Sequence, residues 1–147
     1  MKRDKILNLS SFLLASLFSY AAGSKLLDVQ KFQVELGQSE MLNFIAVPVS
    51  FIIPVVEILL AILVFVPGYR LVGMYASFSL MIVFTTYIII IMNYSYYIPC
   101  SCGGVLAKLG WREHLFFNGA FILVALAGIL SHHDIDKKDL ICKPRQL

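Results

Sequence analysis

Charge is what this sequence has least of. Only 14% of its 147 residues are Asp, Glu, Lys or Arg, where soluble domains carry roughly 25%. A water-soluble fold of this length needs a polar coat that such a composition does not supply. Cysteine is scarce too, with three in the chain, which excludes a secreted disulfide scaffold. Low-complexity tracts and internal repeats are absent, and 59% of the residues are hydrophobic, which excludes a disordered tail. The net charge of +3 is too small to argue for nucleic acid as a partner. No Gly-rich phosphate loop, metal cluster or hydrolase triad is found. What remains is a single domain, residues 1–147, whose solvent is a lipid bilayer.

The charge-free runs set the architecture. Ile6 to Ser24 is 19 residues long, Met41 to Tyr69 is 29 residues interrupted only by Glu57, and Leu71 to Ala107 is 37 residues. Leu115 to His133 adds a last 19, with histidine counted as neutral. A spanning helix needs about 20 mostly apolar residues, because each rises about 1.5 Å through about 30 Å of hydrocarbon. The third run is too long for one span and too short for two. It changes character after Met92, where Asn93, three tyrosines, Pro99 and two cysteines replace an Ile-rich stretch. The expectation is an all-α, polytopic four-helix bundle with spans near 6–26, 44–67, 71–92 and 113–131. The basic start (Lys2, Arg3, Lys5) followed by Ser19-Tyr20-Ala21 imitates a signal peptide, but its apolar stretch of about 17 residues exceeds the usual 7–15. The first run is therefore read as a retained span.

Basic residues orient the bundle. With a cytoplasmic N-terminus, the inside holds Lys2, Arg3, Lys5, Arg70, Lys137, Lys138, Lys143 and Arg145. The outside then holds Lys25, Lys31, Lys108 and Arg112, a ratio of eight to four. Both termini are expected in the cytoplasm, with segments 25–43 and 93–112 outside. Tyr94, Tyr96, Tyr97 and Trp111 then fall at the outer interface, where amphipathic rings are enriched. Pro67-Gly68-Tyr69-Arg70 reads as a tight turn between antiparallel spans two and three. The 27–43 segment has room for a short surface helix. The charged tail from Asp134 is read as a mobile cytoplasmic extension.

Chemistry concentrates in Ile98-Pro99-Cys100-Ser101-Cys102-Gly103-Gly104. Two thiols one residue apart close only a small, strained ring, and strain makes a disulfide labile and exchange-competent. Pro99 stiffens the approach, the two glycines permit a tight turn, and Val105–Leu109 can lie as a helical fragment on the interface. The outer compartment is also the one where disulfides persist. Three readings stay open from the residues alone: a redox pair, a metal site using His114 as a third ligand but lacking a fourth, and a spectator pair. Cys142 falls on the opposite side and cannot exchange with the pair.

Glu57 lies 13 residues into span two, about 20 Å from its outer end at 1.5 Å per residue. A carboxylate there should face the bundle interior, as a neutral acid that hydrogen-bonds Thr85, Thr86, Tyr87 or Tyr20, or as a proton relay to a quinone head group. The depth, which separates it from the thiols, favours the structural role. Pro48 and Pro54 free carbonyl groups nearby. Lys25 and Asp28 can share a helical face and read as a solvated interfacial pair. Asn118 reads as interhelical glue, and His132 and His133 as solvated residues at the inner surface. Glu57, Tyr87 and Asn118 together form the candidate polar or quinone site, with a quinone as the one cofactor considered and no metal expected.

Several segments resemble one family. Ala22-Gly23-Ser24-Lys25-Leu26-Leu27-Asp28, Pro54-x-x-Glu57 with Leu59 and Ala61, Phe84 to Tyr87, the C-x-C-x-G motif ending at Gly104, Gly110-Trp111-Arg112 and Asn118 are similar to the MauE/DoxX group of redox-associated bacterial membrane proteins. The likeness runs through most of the chain, with Gly103 where an aromatic is frequent and Phe117 where Arg is frequent. It implies four membrane helices and thiol–disulfide exchange by Cys100 and Cys102 with a periplasmic, thioredoxin-like protein. The alternative is a non-catalytic subunit that stabilises a larger complex of other membrane subunits.

Overall fold

The computed structural model describes residues 2–38, 43–94 and 110–142, with side chains placed for 4–38, 43–93, 110 and 112–132. Five α-helices follow in order: α1 (Lys2–Leu27), α2 (Val29–Gly37), α3 (Ala46–Phe65, entered through a 3₁₀ turn at Asn43–Ile45), α4 (Arg70–Tyr94) and α5 (Trp111–Cys142). Four of them contain stretches long and apolar enough to cross a membrane: Asp4–Leu27, Asn43–Phe65, Arg70–Asn93 and Arg112–His132. The expected spans agree with these to within two residues at every boundary.

Each long helix turns a narrow stripe inward. In α1 it runs through Leu7, Ser10, Ser11, Leu14, Phe18 and Ala22, and in α5 through His114, Asn118, Ala125 and Ile129, at the three- and four-residue spacing of one helical face. Large apolar side chains point the other way: Phe12, Phe51, Ile62, Val83 and Leu123 are all exposed. That is the arrangement expected where lipid, not water, surrounds the bundle, since hydrocarbon accepts those side chains and association depends on close packing. α1 is integral to this core, with Leu14 and Phe18 among its most buried residues.

The 66–69 segment makes the expected tight turn, with the Tyr69 amide donating to the Val66 carbonyl at 3.0 Å. Arg70 ties that turn to α1, Nη1 donating to Asn8 Oδ1 at 3.0 Å. Just beyond it, α4 lies almost against the backbone of α3. A Cβ on Gly73 would stand 2.7 Å from the Val64 nitrogen and 2.9 Å from the Leu63 carbonyl carbon. Backbone cannot swing aside as a side chain can, so Gly73→Val should lower bundle stability by about 1–3 kcal/mol. Gly119, with open space around it, should accept Ala with no loss. Denaturation of both variants in mild detergent checks the contrast.

Two regions beyond the spans are helical. The short surface helix expected in 27–43 is present as α2, capped by Asp28, whose Oδ1 accepts from the Lys31 amide at 3.1 Å. The tail from Asp134 is helical through Cys142. The reason is local: 134–142 holds no Gly or Pro to stop α5, and its Ile, Lys and Leu residues are permissive of helix. Cys100, Cys102, Tyr96, Tyr97 and the Val105–Leu109 fragment lie outside the described residues, as do the side chains of Tyr94, Trp111, His133 and Cys142.

Candidate functional site

The antiparallel order puts Leu27, Asn43, Tyr94 and Gly110 at one end of the bundle, hereafter the loop end, and the 66–69 turn at the other. Lys25 stands two residues before the end of α1, at the loop end. Its side chain turns inward. The ammonium donates to Glu57 Oε1 at 2.7 Å and to the Ala21 carbonyl at 3.3 Å. The pair is dry, with side-chain exposures of 12% for Lys25 and 2% for Glu57.

The geometry corrects two expectations. Glu57 has a charged partner outside the expected set, its Oε1 accepting from Lys25, while Thr85 donates to the Met81 carbonyl of its own helix at 2.7 Å. Lys25 and Asp28, in turn, do not form a solvated pair, because Asp28 caps α2 while Lys25 enters the bundle. α3 reaches past the end of α1, so a residue eleven positions after Ala46, about 16 Å along the helix, meets the last turn of α1.

α2 covers this region. Its inward residues are Phe32, Glu35 and Leu36, and Phe32 and Leu36 pack with Ala46, Val49 and Ile53 on the protruding part of α3. The Phe32 ring lies with its centroid 5.8 Å from the Lys25 ammonium, within reach of a cation–π attraction. Glu35, outside the spans, has its carboxyl raised above the ordinary range chiefly by burial, with Lys31 opposing the shift and Asp28 adding to it.

α5 supplies the third wall. His114 is buried, four residues after Gly110, where the described chain resumes beyond the cysteine segment. Asn118, one turn further on, is buried on the same face. Lys25, Glu57, His114 and Asn118 therefore all belong to the buried face near the loop end. Tyr87 is on α4. Sequence reasoning missed the role of Lys25 and the burial of His114. The available signal was the presence of two opposite charges in or beside apolar helices, since such residues pair with one another in membranes. Among the described residues no group of three His, Cys, Asp or Glu side chains could hold a metal ion.

Four spanning helices around a buried ion pair define a multi-pass integral membrane protein with a polar core at one end. Within that class, the family model described as methylamine utilisation protein MauE matches residues 3–131. The match takes in all four spans and the cysteine segment, and the chain belongs to the MauE family. No curated protein and no solved structure matches it.

Proposed function

We propose that this protein exchanges disulfides with a periplasmic, thioredoxin-like partner through Cys100 and Cys102, at the outer face of a bacterial inner membrane. The observation that carries the reading is the placement of two thiols one residue apart, in the single connection between α4 and α5 of a MauE-family bundle. The third thiol is remote by construction. α5 leads away from the loop end for 32 residues, about 48 Å at 1.5 Å per residue, before reaching Cys142.

The chemistry is reversible exchange. A partner thiolate attacks one sulfur of the Cys100–Cys102 disulfide, forming a mixed disulfide and releasing the other cysteine as thiolate. The partner's second thiol then displaces the chain, leaving the partner oxidised and both cysteines reduced by two electrons in total. In the reverse direction Cys100 attacks a partner disulfide and Cys102 resolves the adduct. Replacing the resolving thiol should therefore trap the encounter. In cells expressing Cys102→Ser, a Cys100-dependent adduct should accumulate on non-reducing gels and vanish with reductant. A chain that yields no such adduct, with Cys100 intact and the protein inserted, would refute the exchange reading.

A further inference from the structure

The outward face of α4 differs in chemistry from those of its neighbours. Between Val47 and Phe65 of α3, and between Phe116 and Leu130 of α5, every exposed residue is apolar. On α4 the exposed residues Tyr75, Ser79, Ile82, Thr86, Ile89 and Asn93 form one row, and four of those six side chains are polar. Ser79 and Thr86 flank the middle of the Arg70–Asn93 span, about 4 and 7 Å from it at 1.5 Å per residue. No water reaches that depth to satisfy a polar group.

Bonds within the helix use only part of what the row can offer. The Ser79 hydroxyl donates to the Tyr75 carbonyl at 3.0 Å, and Asn93 Nδ2 donates to the Ile89 carbonyl at 2.7 Å. Back-bonding of this kind engages one donor. The hydroxyl keeps its acceptor lone pairs, and the amide keeps an acceptor oxygen and a second N–H. In hydrocarbon such groups are stabilised by a partner helix, which they bond across the interface.

The spacing specifies that partner. Steps of four and three residues alternate along the row, which is the seven-residue repeat of a left-handed helix pair. Ser79, Thr86 and Asn93 fall at one position of the repeat, and Tyr75, Ile82 and Ile89 at the other. Two copies of one membrane protein share a topology, so a two-fold axis along the membrane normal sets their α4 helices parallel and brings each residue to its own counterpart. Ser, Thr and Asn each carry both donor and acceptor groups, so every polar layer is complementary to itself, and the isoleucines pack between the layers. α1 offers no equivalent row. Its outward Ser16 and Ser19 line a cleft against α3, and that face continues into Phe12 and Leu26.

We infer that the chain self-associates as a parallel dimer through the outward face of α4, with Ser79, Thr86 and Asn93 each bonded to the same residue of a second copy. The inference does not depend on thiol exchange.

The test uses the full-length chain in a Cys100→Ser/Cys102→Ser/Cys142→Ser background, in native membranes. Oxidation with copper–phenanthroline should convert Ile82→Cys and Ile89→Cys to a dimer that reductant dissolves. Val55→Cys on α3 and Leu123→Cys on α5 should stay monomeric. In phosphatidylcholine proteoliposomes the Ile82→Cys dimer should persist as lipid is added in excess. Adding Ser79→Ala/Thr86→Val should weaken self-association about tenfold, with the chain still folded because both side chains point away from the bundle core. Monomer alone at Ile82→Cys and Ile89→Cys would overturn the dimer, as would equal yields at Val55→Cys and Leu123→Cys, the mark of random collision. Cross-linking of Ser16→Cys in their place would move the interface to the α1–α3 cleft and overturn it too. An adduct of α4 with a protein of different mass would replace the second copy by another partner, and unchanged association in Ser79→Ala/Thr86→Val would remove the polar layers from the account.

Discussion

Lys25→Met should destabilise the bundle by about 3–5 kcal/mol, and Glu57→Leu by a similar amount, because each leaves the other charge buried without its counter-ion. The double variant Lys25→Met/Glu57→Leu should recover most of that loss. With both charges gone, the site becomes an apolar helix contact of comparable volume, and replacing a buried pair in this way is often neutral or stabilising. Glu57→Gln is the instructive intermediate. Were the carboxyl bonded to a hydroxyl, the amide would substitute for it with little effect. Beside an ammonium at 2.7 Å it keeps the hydrogen bond but removes the charge, so it too should be destabilising, less severely than Leu. Detergent-titrated unfolding of the unmodified chain, Lys25→Met, Glu57→Leu and the double variant forms a double-mutant cycle. A coupling near zero would mean that the two side chains do not interact as the geometry requires.

Cys100→Ser/Cys102→Ser should abolish exchange altogether while the protein still inserts and unfolds close to the unmodified chain. A disulfide closing so small a loop constrains the unfolded chain very little, so its removal costs little stability. The measurement is oxidation of a reduced thioredoxin-type protein by proteoliposomes, read beside a melting curve. Full exchange in the double variant would transfer the function to other groups and favour a scaffold whose cysteines are incidental.

The fold was legible because the bilayer makes it so. A run of uncharged residues about 20 long has few alternatives to a spanning helix, and Pro67-Gly68 left little freedom for the turn between α3 and α4. α2 was expected from the polar, mixed-charge character of 27–43, and its start rests on Asp28, a good capping residue. α5 continues past its span through Cys142 because 134–142 holds no Gly or Pro to end it.

The polar core was only half legible. Glu57 stood out as the single charge in its span, and its burial followed. Its partner did not, since Lys25 sits at a helix end where a lysine ordinarily snorkels outward into water. What redirects it is tertiary: α3 overshoots α1, and α2 folds over the overshoot with Phe32 against the ammonium. Spacing within one helix cannot report that offset between two. The cysteine pair was legible as chemistry from its spacing and flanking Pro and Gly residues, whereas its position relative to Lys25, Glu57 and His114 depends on a segment outside the described residues.

In the proposed mechanism the thiol pair works on the outer side of the membrane. A maleimide reagent that cannot cross lipid, applied to intact spheroplasts after mild reduction, tests it most directly. Cys100 or Cys102 should be labelled, and Cys142 should react only after the membrane is permeabilised. Labelling of Cys142 from outside, with the pair protected, would invert the topology and place the thiols in a compartment that keeps them reduced.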